Sequence, residues 1–123
     1  MTNGNCLIID GYSFPAWPLP YELNQTSFRP DFCLGTDDFH TPEKLMGMVE
    51  KELESCGYST SRDQPFSGTV VPMKHYRKDQ KVQSLMIEVN HGLYLGEDYS
   101  VDSERMTTLI RVLRRVGEVL EHN

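Results

Sequence analysis

Val82-Gln83-Ser84-Leu85-Met86-Ile87-Glu88-Val89-Asn90 is the stretch on which the fold turns. Leu85, Ile87 and Val89 alternate with Ser84, Met86 and Glu88, the period of two expected of a strand whose faces meet different surroundings. Glu88 stands out in it. A carboxylate on a buried strand must be paired, bind a metal or stay partly protonated, because burying an isolated charge is costly. The bland alternative places Glu88 on the wet side of an edge strand. The loop that follows favours a site: Asn90, His91, Tyr94 and Glu97 come at once, and catalytic bases are often held at the carboxyl end of a strand.

Working outward, Cys6-Leu7-Ile8-Ile9 is a continuous apolar run ending in Asp10-Gly11, which predicts a strand covered on both faces. Pro15, Pro18 and Pro20, around Trp17 and Tyr21, predict an ordered surface loop. Phe32 to Gly35 is a short second strand. Thr41 as N-cap, Pro42 at the first helical position and Glu43 near the positive dipole end open a helix. Its apolar face is Leu45, Met48/Val49, Leu53 and Cys56, and Gly57 supplies the closing turn. Tyr58 to Thr60 can begin a strand, Gly68 to Pro72 predicts a firmer one, and Lys74 to Lys81 a solvated turn. A last helix starts near Asp102 or Ser103, with Met106, Leu109/Ile110, Leu113, Val116 and Leu120 on one face. This order implies a single α/β domain over residues 1–123, a mixed β-sheet flanked by helices. Its polar loops after Asp10, Gly35 and Val89 are expected to meet at the carboxyl ends of the strands.

Composition narrows the function classes. The chain has 123 residues, is 38% apolar and carries a formal charge of −6, with no basic run longer than Arg114-Arg115, so nucleic acid is not expected as a partner. No apolar run is long enough to cross a bilayer, and no secretory leader pattern opens the chain, so no membrane role is expected. Cys6, Cys33 and Cys56 are odd in number and widely spaced, which reads as reduced thiols of a cytoplasmic protein.

Four segments together resemble the N-formylglutamate amidohydrolase family: Leu7 to Pro15, Arg29 to Asp37, Pro65 to Pro72, and Ser84 to Leu95. The likeness spans most of the chain in the right order, but only the C-terminal part of a typical family member. The usual N-terminal portion, with a His and a Glu of the metal site, has no counterpart here. The resemblance implies a partial phosphorylase/hydrolase-like (zinc carboxypeptidase-like) fold and a zinc-assisted hydrolysis of an N-acyl amino acid or similar small-molecule amide. It gives Glu88, in the family's Ile-Glu-x-Asn segment, the role of general base on a zinc-bound water. The family's first-strand motif is Asp, any residue, His, Ser, and its zinc-ligating His is Tyr12 here. A family Arg after the Asn is His91.

A catalytic zinc needs three protein ligands and an open position, and a phenol with a pKa of about 10 is a poor substitute for imidazole. Among the histidines, His40 reads as preceding the helix cap and His122 as terminal, leaving His75 and His91 as site candidates. Arg29 has two open readings: a structural partner of Asp31 in an Arg-Pro-Asp turn, or a bidentate grip on a substrate carboxylate. Ser13 reads as a hydrogen-bonding residue beside the first strand and not as a nucleophile, since no His-Asp relay is discernible around it. The expected site is Glu88 as catalytic residue with Arg29, Ser13, His91 and His75 at the substrate, and Glu88 facing a cleft shared with Tyr12. The alternative to a hydrolase is a non-catalytic remnant or binding module, or one half of a split enzyme completed by another chain. A homo-oligomer or a complementary fragment is expected to cover the exposed sheet edge.

Overall fold

A computed structural model describes residues 6–14, 29–64, 66–96, 98 and 100–121. The expected proline-rich loop around Trp17, as well as Glu97 and His122, lies outside the described residues. The strands are β1 (Cys6–Phe14), β2 (Phe32–Gly35), β3 (Thr60–Arg62) and β4 (Val82–Asn90), and the helices α1 (Glu43–Ser55) and α2 (Ser103–Glu121). They form a mixed sheet in the order β1-β4-β2-β3. β4 is central: it runs parallel to β1 and antiparallel to β2.

The alternation in β4 sorts the sheet into two unlike faces. Leu85, Ile87 and Val89 join Phe32 and Leu34 on one side, where Leu45, Met46, Val49 and Leu53 of α1 and Leu109, Val112 and Val116 of α2 complete one core. Each fully buried Leu or Val there contributes roughly 1.5–3 kcal/mol relative to its exposed state. Both helices therefore pack on the same face. The opposite face is covered by residues 66–72: the Ser84 hydroxyl donates to the Val70 carbonyl at 2.7 Å and meets the Thr69 hydroxyl at 2.6 Å.

That segment corrects one expectation, since Gly68 to Pro72 is not a strand. Both edges of β4 are already taken by β1 and β2, so residues 68–72 cross the sheet face and attach through side chains. The strand sought near Tyr58 begins two residues later, as β3. β1 is also not covered on both faces. It is one edge of the described sheet, and Ile9 and Tyr12 are 46% and 51% exposed.

The helix ends follow their sequence signals with one exception. Thr41 does not cap α1, because its hydroxyl donates to the Ser84 carbonyl and accepts from the Asp37 amide. Pro42 holds the cap position without a side-chain bond. At the other end Gly57, at φ 90°, bonds the Glu54 carbonyl while Tyr58 bonds that of Leu53, a Schellman closure that only a residue tolerant of positive φ makes without strain. Asp102 caps α2, accepting from the Glu104 and Arg105 amides.

His40 is fully buried and ties the turn before β4 to the sheet. Its Nδ1 lies 2.6 Å from the Val82 carbonyl, and its Nε2 accepts from the Arg77 amide at 2.8 Å. No helix among the described residues is long and apolar enough to cross a membrane.

Candidate functional site

Strand register assembles the site. Glu88 is paired with Tyr12 on the β1 side and with Cys33 on the β2 side, so these three residues form a row across the sheet. Partners on neighbouring strands sit about 5 Å apart and point to the same face. That face is the one opposite the helices. Asp10, two residues before Tyr12, shares it, as does Phe14 two residues after.

Glu88 is half-buried, and burial raises its carboxyl above the ordinary 4.5, with the Asp10 charge adding to the rise and Arg29 opposing it. Arg29 is buried at 7% exposure and its guanidinium packs against a pair of touching rings, 5.8 Å from the centre of Phe14 and 5.2 Å from that of Phe66, the two rings being 5.6 Å apart. Two aromatic faces stabilise a cation withdrawn from water. Asp31, the other half of the Arg-Pro-Asp turn, accepts from the Ser59 amide and donates its own amide to the Ser59 hydroxyl. Asn90 holds the segment in place, its side chain donating to the Pro30 carbonyl at 3.1 Å and its amide to the Asp31 carbonyl at 2.9 Å.

The Tyr12 phenol is pushed above its ordinary value, first by the charge of Asp10 and then by hydrogen bonding to that carboxylate, so it keeps its proton. One carboxylate oxygen of Asp10 is buried with no hydrogen-bond partner. Burial raises the Cys33 thiol, which bonds the Phe66 carbonyl at 3.1 Å.

The structure divides the residues expected at the site. Glu88, Tyr12 and Arg29 come together. Ser13 lies on the helix side of the sheet with Ile87 and Val89, and the His91 ring reaches it there, Nε2 to Oγ at 3.0 Å. His75 belongs to the turn before β4, where its carbonyl accepts from the Lys78 amide. That is the opposite end of the strand, whose first residue, Val82, is roughly 20 Å from Glu88 at about 3.3 Å per residue. The loop after Gly35 is also at that far end, because β2 runs antiparallel to β4. The segment leading into β2, with Arg29 and Asp31, takes its place beside Val89 and Asn90.

Asp10 and Cys33 were not named as site residues from sequence. Spacing would have found Asp10, since residues two apart on a strand share a face with Tyr12. Cys33 needed the β2–β4 register.

Among the described residues no three His, Cys, Asp or Glu side chains come close enough together to hold a metal ion. A phenol stands at the family's ligand position, and the described residues do not supply the three-ligand set that a catalytic zinc needs. What the row can do is donate a hydrogen bond from the phenol, hold a proton on Glu88 and present a fixed guanidinium charge.

The model of the N-formylglutamate amidohydrolase family matches residues 1–95. The crystal structure of N-formylglutamate amidohydrolase from Ralstonia eutropha JMP134 is similar, at 27% identity and a TM-score of 0.70 over 98% of this chain and 47% of that one. The chain thus spans about half the length of that protein. No curated protein matches this sequence.

Proposed function

Because the chain belongs to the N-formylglutamate amidohydrolase family, we propose that the Glu88 face is the substrate side of a site for N-acyl amino acids or similar amides. The observation that carries this reading is the Tyr12–Glu88–Cys33 row with the Arg29 guanidinium held beside it. In this reading the substrate carboxylate binds Arg29, whose planar fork suits it, and the Tyr12 phenol turns from Asp10 to donate its one proton to the acyl oxygen. Glu88, its carboxyl raised by burial, takes a proton from water and returns it to the leaving nitrogen. Zinc would supply Lewis-acid activation in the metal-assisted form of the reaction, and residues beyond those described would have to hold it.

The second reading, a binding module that keeps the substrate side without hydrolysis, is favoured by Tyr12 at the ligand position. One experiment separates the two. The purified chain is incubated with N-formylglutamate, with and without added zinc, while amine release and heat of binding are followed. A hydrolase releases amine and loses that activity in Glu88→Gln while still binding. A binding module gives heat without amine, and Arg29→Met removes the heat. Neither amine nor heat would refute both. Zinc that survives dialysis against a mild chelator at one ion per chain would overturn the metal-poor reading of Tyr12. Among the described residues the outer edge of β1 pairs with no strand, which supports pairing with a second chain, and light scattering showing a monomer at high micromolar concentration would count against it.

A further inference from the structure

On the helix side of the sheet, β1, β4 and α2 enclose a groove of about 480 Å³ floored by Ile87, Val89, Leu113 and Val116. This falls in the size range of small-molecule pockets. Gly11 and Gly117 also line it, and a Cβ at either would meet nothing within 4 Å. Neither glycine is therefore demanded by packing, and at Gly117 the helix forgoes about 1 kcal/mol relative to alanine. Their effect is to deepen the groove.

Ser13 lines this groove, and its exposed hydroxyl is 3.0 Å from Nε2 of His91, 78 residues away in sequence. The His91 ring meets the edge of the Tyr94 ring at 5.9 Å, and its backbone is fixed in a 3-10 turn capped by the Asn90 side chain. A hydroxyl and an imidazole within hydrogen-bond reach are the nucleophile and base of an activated pair, and here a ring contact and a capped turn, not a hydrogen-bonded third group, hold the imidazole. The sequence alone showed no base near Ser13, because strand β1 meets His91 only through the parallel pairing with β4.

We propose that Ser13 and His91 form a nucleophile–base pair, a second site that transfers the acyl group of an ester with an apolar acyl chain to water. In the tautomer protonated at Nδ1, Nε2 accepts the Ser13 proton as Oγ bonds to the ester carbonyl carbon. The carbon–oxygen bond to the alcohol then breaks, and the departing oxygen takes the proton from Nε2. Water repeats the sequence on the acyl-serine, releasing the acid and restoring both side chains. The acyl chain lies along Leu113 and Val116. This site is on the opposite face from Glu88 and does not depend on the amidohydrolase reading.

The test is labelling of the full chain with alkyl fluorophosphonates, read by intact mass and peptide mapping, alongside hydrolysis of 4-nitrophenyl butyrate. We expect one adduct on Ser13, none in Ser13→Ala, and labelling slowed about a hundredfold in His91→Asn, the scale of a general base. Gly117→Leu fills the groove from an open helix position and should slow a long-chain probe much more than a methyl probe. Circular dichroism confirms that each variant is folded. Absence of a Ser13 adduct, labelling of His91→Asn at the parent rate, or equal slowing of both probes by Gly117→Leu would overturn the proposal.

Discussion

Arg29→Met tests whether the guanidinium holds the Glu88 face together. The substitution keeps an apolar stem and removes the charge. Two aromatic contacts are lost, at 5.8 and 5.2 Å from the Phe14 and Phe66 ring centres. A cation–π contact contributes about 0.5–1 kcal/mol at exposed sites and about 2 when desolvated, so this part amounts to roughly 1–3 kcal/mol. Glu88 also loses the charge that opposes its rise in pKa. Because Glu88 is only half-buried, solvent screening holds this second part to about 1 kcal/mol. The two parts respond differently to pH. The folded carboxyl titrates above its ordinary 4.5, so the charged form is the one penalised by folding. The penalty is absent below the unfolded value and grows as pH rises through the folded one. The cost of Arg29→Met, measured by urea unfolding, should therefore be largest at neutral pH and should shrink by about 1 kcal/mol as Glu88 becomes protonated. In a Glu88→Gln background that pH-dependent part should vanish, while the aromatic part remains. A cost that is flat with pH and unchanged by Glu88→Gln would refute the coupling.

Other expectations follow from single positions. His40→Phe leaves the Arg77 amide and Val82 carbonyl without their partner and should cost about 1–3 kcal/mol, whereas His40→Ala adds a cavity and should cost about 3–5 kcal/mol, both read from urea midpoints at constant slope. Equal costs would mean that packing contributes nothing at this residue. Gly117→Ala should stabilise the chain by about 0.5–1 kcal/mol, since its Cβ meets no neighbour and alanine is the better helix former. A lower melting temperature would contradict the open geometry there. Iodoacetamide should modify the half-buried Cys6 and Cys56 of the native chain and reach Cys33 only on unfolding, because Cys33 is buried with its thiol raised. Rapid alkylation of native Cys33 would show that face to be open.

Local pattern determined much of this protein. The alternation of Leu85, Ile87 and Val89 marked the central strand, Gly57 marked the helix end, and Asp102 or Ser103 the start of the last helix, because each depends on neighbours within a few residues. Glu88 could be picked out because a carboxylate in an apolar strand is anomalous before any partner is known. What the sequence alone could not supply was which segments lie side by side. The antiparallel run of β2 carried Gly35 away from Glu88 and brought Arg29 towards it, and no local signal specifies strand direction. Gly68 to Pro72 had the composition of a strand, but β4 had no free edge left to pair with it. Thr41 had the chemistry of a cap but was taken by the Ser84 carbonyl, 43 residues on. Ser13 and His91 met only across the β1–β4 pairing, and the face each side chain occupies follows from strand register, a property of the assembled sheet.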